Sequence, residues 1–282
     1  ASVMRIPGGS FTKASTYTLT INGKFANPDN GHCFIGFTTG ITFGNGALDG
    51  NGAYSEWWGG KGDGVTDSTA ALNAMSAASQ RSTLLLGIYL TDGWTINGYG
   101  KIIKGIASES ASAPVPISQI KARTSTTQAY VMRVSGHYHE FHNLTFNGNL
   151  KTDSVVLMYV PSLGFKFDKV WFENAKAVTG VLCDNDSTND GTGTGTIVTT
   201  QGDSNIWDQC VFSTGAQGLR ILGSNAFLNV IKNSAFATVG IGVYTNGGGF
   251  ALKNCNFAVI ATDGVKFVGS HQPVTIEDCY TE

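Results

Sequence analysis

Lys253-Asn254-Cys255-Asn256-Phe257 is one copy of a five-residue pattern that recurs through the C-terminal half of this chain. The other copies are His142-Asn143-Leu144-Thr145-Phe146, Asp168-Lys169-Val170-Trp171-Phe172, Asp208-Gln209-Cys210-Val211-Phe212, Lys232-Asn233-Ser234-Ala235-Phe236 and Glu277-Asp278-Cys279-Tyr280-Thr281. Each has a polar second place, a small or apolar third place and usually an aromatic fifth place. Fifth places fall at 146, 172, 212, 236, 257 and 281, which gives steps of 26, 40, 24, 21 and 24 residues. A period in the twenties is the signature of a solenoid in which one repeat is one coil.

Two residues before each second place stands a large apolar residue: Phe141, Phe167, Trp207, Ile231, Leu252 and Ile276. Strand side chains alternate faces, so these six share an inward face with the third-place column that holds Cys210, Cys255 and Cys279. A short polar turn follows each fifth-place residue. A second strand then opens at a glycine: Gly180, Gly218, Gly240 and Gly264. With no helix between successive strands, equivalent strands stack in parallel about 4.8 Å apart. The second-place Asn and Asp sit at a turn and form a ladder from coil to coil, because these residues tolerate left-handed backbone and hydrogen-bond their own turn. The fold class is all-β, a single-stranded right-handed parallel β-helix, its hand taken from the preference of parallel crossovers. The step of 40 marks an inserted loop at about 185–205, rich in Gly, Thr, Asn and Asp.

Glu56-Trp57-Trp58-Gly59-Gly60-Lys61-Gly62-Asp63-Gly64-Val65-Thr66-Asp67-Ser68-Thr69-Ala70-Ala71-Leu72 is the second signal. Asp63-Gly64 reads as a turn, and Asp67 or Ser68 as the N-cap of a helix over about 67–80. Ala71, Leu72, Met75 and Ala78 form its apolar face, suited to closing the open end of a β-helix. Ahead of it, Tyr17–Ile21 alternates and runs into Asn22-Gly23, a hairpin signal. The segments 33–37 and 40–44 read as further strands that pack on or extend the first coils. The domain reading is a β segment over 1–55 and the β-helix over 56–282.

The 56–72 block resembles the Gly-Asp-Gly-x-Thr-Asp-x-Thr-Ala-Ala-Leu motif of the pectate-lyase-like superfamily, and its Glu-Trp-Trp-Gly lead-in is similar to that of phage tailspike and capsule-depolymerase proteins. The resemblance covers the motif and, more loosely, residues 17–282. It implies that Asp63 and Asp67 are structural, that Trp57 and Trp58 pack the helix, and that the native state is a homotrimer of parallel β-helices. The outward apolar residues Ile206, Val230 and Ala251 are compatible with such contact.

Composition excludes several classes. A net charge of −2 argues against nucleic acid, which demands a basic stripe. Thirty-seven glycines and only 13% charged residues suit a turn-rich β protein. No apolar run is long enough for a bilayer. The chain starts at Ala1 without a signal-peptide pattern, as a processed or trimmed product would, and it stops mid-coil at Glu282 with nothing that reads as a cap. The five cysteines read as buried thiols rather than disulfides, and no pair has zinc-ligand spacing. His137 and His139 fall on one strand face with Glu140 and His142 on the other, so the four cannot meet at one metal. His139 lies in the inward column of Phe165 and Phe250. No metal or cofactor is expected.

Chemistry is expected on the strand after the fifth-place aromatic. Its outward positions read as Leu182, Arg220, Gly242 and Lys266 in one column, and Asp184, Leu222, Tyr244 and Val268 in the next. Asp184, Arg220, Tyr244 and Lys266 then line a groove beside the inserted loop. β-Elimination on a uronic polysaccharide needs a cation (Arg220 or Lys266) and a base or acid (Tyr244). Hydrolysis needs two carboxyl groups, about 5 Å apart for retention or roughly 6.5–9.5 Å for inversion, and Glu173, Asp184, Asp186, Asp190, Asp203 and Asp208 lie in the region. Catalytic candidates are therefore Asp184, Asp186, Glu173, Arg220, Tyr244 and Lys266. Substrate-binding candidates are Trp171, Tyr244, Asn185 and Asp190, the aromatics as stacking platforms for sugar rings. The function expected is tailspike-like binding and depolymerisation of bacterial surface polysaccharide, on a virion tail or outside the cell. The alternatives are a non-catalytic receptor-binding tail protein of the same fold and a free bacterial polysaccharide lyase.

Overall fold

The computed structural model describes residues 3–4, 8–108, 115–176, 180–185, 202–223, 226–269 and 272–282. Its strands stack in parallel into a β-solenoid with three sheet faces, and one α-helix occurs among the described residues. The first face carries residues 140–142, 166–168, 206–208 and their equivalents on later coils. The second carries 144–147, 170–173, 211–213, 235–237 and 256–258. The third carries Tyr130–His137, Ser154–Leu163, Val181–Asn185 and the later halves of Val211–Leu222 and Ala235–Asn246.

The backbone explains the repeat. Every second-place residue lies in the left-handed region: Asn143 at φ 54°, Lys169 at 55°, Gln209 at 54°, Asn233, Asn254 and Asp278 at 51°. A corner of each coil needs that conformation, which Asn tolerates best. The ladder forms in part: Asn254 Nδ2 donates to Asn233 Oδ1 at 3.0 Å, and Asn233 Nδ2 to Asp208 Oδ1 at 3.0 Å. A second corner, after the fifth-place aromatic, repeats the conformation at Asn174, Thr214, Thr238 and Val259.

Phe141, Phe167, Trp207, Ile231 and Leu252 form one inward column, completely buried. Phe146, Phe172, Phe212, Phe236 and Phe257 form another, with centroid spacings of 6.1, 5.0, 4.6 and 4.9 Å. Burying each such ring stabilises the fold by about 1.5–3 kcal/mol. The third strand makes room for this stack with glycine, since a Cβ on Gly242 would lie 2.5 Å from Phe257 Cε1. The cysteines are free thiols, as expected, and Cys33, Cys183, Cys210 and Cys255 are buried. Burial pushes the Cys255 thiol up to about 11.

An internal polar column was not foreseen. Asn205 and Asn229 are fully buried between Phe165 and Phe250. Asn205 Oδ1 accepts Phe165 N–H at 2.8 Å, and Asn229 Oδ1 accepts Asn205 N–H at 3.1 Å. Their amide donors both reach Gly202 O, which satisfies groups that are costly to bury unpaired.

The helix runs Thr69–Ala78, shorter at both ends than expected. Asp67 Oδ1 accepts the Thr69 N–H at 2.9 Å, while Ser68 holds the N-cap backbone position. Ala71, Leu72, Ala74 and Met75 are buried against the strand Trp94–Ile96 and the N-terminal strands. Lys101 Nζ donates to Ser79 O at 2.8 Å, placing a cation at the helix C-terminus. Trp57 and Trp58 are buried among Phe25 and Phe34. Asp63 is a turn residue: Oδ1 accepts Val65 and Thr66 N–H at 2.9 and 2.7 Å, which lowers its carboxyl to about 2.

The Asn22-Gly23 hairpin does not exist. Leu19–Ile21 pairs in parallel with Ile41–Phe43, Phe11–Thr12 with Phe34–Ile35, and Val3–Met4 with Phe25–Ala26. Leu19 meets Ile41, Phe11 meets Phe34 and Val3 meets Phe25, offsets of 22, 23 and 22 residues. The N-terminal segment is thus wound as coils like the rest. Asn-Gly serves there as a corner between strands on different faces, because the apolar partner of each strand lies one coil away. One hydrophobic cluster extends from Ile21 to Phe257.

Candidate functional site

On the second face, side chains alternate between the aromatic core and the outside. Thr145, Trp171 and Val211 form one outward column; Asn147, Glu173 and Ser213 form the next. The preceding coil adds Gln119 beside Thr145 and Lys121 beside Asn147. Outward residues of a solenoid are normally wet, yet Thr145 and Asn147 are buried. Part of the cover is an antiparallel pair, Ala107–Ser108 with Val115–Pro116, which packs on this face. Thr145 Oγ1 donates to Pro116 O at 3.4 Å.

Glu173 sits at the edge of this covered patch. Its Oε1 accepts Asn147 Nδ2 at 2.8 Å and Gln119 Nε2 at 2.9 Å. Burial raises its carboxyl above the usual range, outweighing the Asn147 hydrogen bond and the Lys121 charge that pull it down. No described residue hydrogen-bonds Oε2. A carboxyl that is fixed through one oxygen, raised in pKa and flanked by an indole has the attributes of a general acid. Glu173 and Trp171 were among the candidates, but the chemistry was expected on the third face and not on this one; Gln119, Lys121 and Asn147 were not candidates. Asn147 was within reach of the sequence, since it follows the fifth-place Phe146 as Glu173 follows Phe172.

The third face differs from its expected register. Asp184, Arg220, Tyr244 and Lys266 stand in a single column, not in two. Leu182 belongs to the core beside Ala175, where a Cβ on Gly215 would approach its Cγ to 3.1 Å. Asp184 is outward in register but fully buried, with Ser154 Oγ 3.4 Å from Oδ2. The Arg220 guanidinium lies over the Tyr244 ring at 5.2 Å, and Lys266 is exposed. Asn185, expected to bind substrate, points inward: its Oδ1 accepts Ser162 Oγ at 2.9 Å and its Nδ2 donates to Gly202 O at 3.1 Å. It follows Asp184 by one residue, so it takes the opposite face. Asp186 and Asp190 lie outside the described residues.

Other acids are engaged in structure. Asp203 is nearly buried and raised by burial, with Oδ1 on the Phe227 N–H at 3.1 Å. Burial also raises Asp208, but Asn233 and Lys232, the latter at 3.0 Å, bring it below the usual range. His139 is buried on Phe165; its Nδ1 accepts the Lys101 N–H at 3.0 Å, and burial lowers its pKa. His137 does not share its face, because the chain turns at Tyr138 (φ 58°). His142 is outward between Glu140 and Asp168, at 3.0 and 3.1 Å. Among the described residues no group of three His, Cys, Asp or Glu side chains is arranged to hold a metal ion. Among the described residues no helix is long and apolar enough to cross a membrane. A cleft of about 610 Å³ lies between Phe25, Asn30, Asp49, Tyr54 and Trp57, where Asp49 caps the Asn51 N–H at 3.0 Å.

Fold and site together define an all-β parallel solenoid with a covered outer patch holding one raised carboxyl. No family model matches the sequence, and no curated protein matches it. Among solved structures it is similar to ORF18 of Geobacillus virus E2, at 12% identity and TM-score 0.47, over 82% of this chain and 60% of that one. It is also similar to Pantoea stewartii WceF, a glycan biofilm modifying enzyme with a bacteriophage tailspike-like parallel β-helix fold, at 14% identity and TM-score 0.44, over 83% and 39%. A third is full-length tailspike protein 2 from Escherichia coli O157:H7 bacteriophage CAB120, at 9% identity and TM-score 0.32, over 83% and 42%. The chain therefore spans about 60% of the first of these proteins and less than half of the other two.

Proposed function

We propose that this chain is part of a tailspike-like protein that binds a bacterial surface polysaccharide and cleaves it at the second face, with Glu173 as the proton donor. The observation that carries this reading is the half-buried Glu173, held through Oε1 by Asn147 and Gln119 and raised by burial, two residues from the outward Trp171. Trp171 offers a flat apolar face to a sugar ring, and Lys121 offers a cation to an acidic one. In hydrolysis Glu173 gives the proton on Oε2 to the departing glycosidic oxygen as the C–O bond breaks and a solvent water adds to the anomeric carbon, its own proton passing to solvent. The solenoid is right-handed, and the helix closes the main run of coils on the side of the N-terminal strands. It assembles as a homotrimer through the outward column Ile206, Val230 and Ala251 on the first face, as part of a virion tail.

The deciding experiment incubates the protein with capsular and O-antigen polysaccharides and follows reducing ends together with the ultraviolet absorbance of unsaturated uronate. New reducing ends that disappear in Glu173→Gln support the assignment. Cleavage that persists in that variant overturns it. A monomer by sedimentation of the full-length protein overturns the trimer.

A further inference from the structure

We infer that Tyr99, His137 and Tyr138 form a second glycan-contact platform, at the corner between the third and first faces, that stacks pyranose rings of the same polysaccharide. The inference rests on the glycan reading above but not on Glu173. Tyr99 and Tyr138 are 62% and 58% exposed, although large rings normally seek burial. The three rings still gather: Tyr99 and His137 stack at 4.6 Å and 27°, with Tyr138 6.1 Å from His137 and 6.5 Å from Tyr99. A parallel bridge between Tyr99 and His137 holds two of them in register.

The third is seated. Tyr138 lies in the left-handed region that this corner imposes on successive coils, where the later coils have Gly164, Ser204 and Leu228. The backbone does not call for a tyrosine there. Gly164 makes it fit, because a Cβ on Gly164 would lie 2.6 Å from Tyr138 Cδ1. The ring rests on bare backbone, with more than half of its surface in solvent.

The chemistry of the patch selects its occupant. A pyranose has a flat face of C–H groups and an edge of hydroxyls. Aromatic faces meet the first, and phenol and imidazole edges meet the second. From this corner the third face continues with Ser135 and its register partner Tyr159, whose ring carries the Arg133 guanidinium at 4.1 Å. Strand Tyr130–His137 spans eight residues, roughly 26 Å at about 3.3 Å each, so a chain of several sugars has polar and aromatic contacts along it.

The test is a glycan array of immobilised bacterial capsular and O-antigen polysaccharides, followed by calorimetry on whichever polysaccharide the wild-type protein binds best. Tyr99→Ala combined with Tyr138→Ala is expected to weaken that binding roughly tenfold or more, whereas the paired Tyr→Phe variants keep it within about threefold, because stacking needs the ring and not the hydroxyl. Circular dichroism establishes that the exposed-site variants fold. Unchanged binding in the double alanine variant overturns the platform, and it does so without touching the Glu173 assignment if Glu173→Gln still abolishes cleavage. Wild-type protein that binds no polysaccharide overturns the glycan reading and the platform with it.

Discussion

Asn147 stands one coil below Glu173 and donates its amide to Glu173 Oε1 at 2.8 Å. The solenoid sets this pairing: residues one coil apart occupy the same place on parallel strands, so a polar side chain on one coil can orient a carboxyl on the next. Gln119, on the coil before, supplies the second donor to the same oxygen. The other oxygen is then the proton carrier.

Glu173→Gln is expected to lower depolymerisation by about 100-fold to 10,000-fold, the usual range for loss of a positioned acid. Polysaccharide binding should stay near the wild-type value. Equal loss of binding and cleavage would mean that Glu173 is a contact residue instead.

The pH profile follows from the same group. Burial raises the Glu173 carboxyl, so the proton needed for cleavage is present at low pH and is lost as pH rises through that raised value. The alkaline limb of kcat should report it. Lys121 opposes the rise through its charge, so Lys121→Met should move the limb to higher pH. A limb that stays in place excludes Glu173 as the titrating group.

Gly242→Ala and Gly264→Ala make a matched pair. A Cβ on Gly242 would lie 2.5 Å from both Phe257 Cε1 and Gly264 O, whereas on Gly264 its nearest neighbour is Phe257 Cδ1 at 3.7 Å. Gly242→Ala should cost about 1–3 kcal/mol by overpacking, and Gly264→Ala should be near neutral. Denaturant midpoints check this, and similar values for the two would refute the packing of the phenylalanine stack.

Phe236→Ala removes a ring inside that stack, between Phe212 at 4.6 Å and Phe257 at 4.9 Å. The expected loss is about 3–5 kcal/mol. A loss below about 1 kcal/mol would show that neighbouring coils close the gap.

Asp63 has its folded-state pKa lowered from 3.8 to about 2 by Thr66 and Val65. Its stabilising contribution is therefore present above 3.8 and lost as pH falls toward 2. Thermal unfolding should separate wild type from Asp63→Asn near neutral pH, and the two should converge at about pH 2. A gap that is independent of pH would exclude the carboxylate as its source.

The coil is legible in the amino-acid sequence alone. Its signals are local and repeated: a left-handed corner at Asn143, Asn233 and Asn254, an inward aromatic three residues later, and a glycine where the next strand meets that ring. One physical demand recurs on each coil, so aligning the copies reveals it, and Trp171 is placed outward in this way. The alignment of the third face emerges from the folded coils. Glu173 aligns with Ser213 and Val181 with Gln217, so the corner spans eight residues in one coil and four in the next. Counting from the repeat across corners of unequal length shifts the register, which is why Asp184 meets Arg220 rather than Leu222. The partners of Glu173 depended on three dimensions for the same reason. Gln119 lies 54 residues away, and the Val115–Pro116 strand that covers the patch has no counterpart in the repeat.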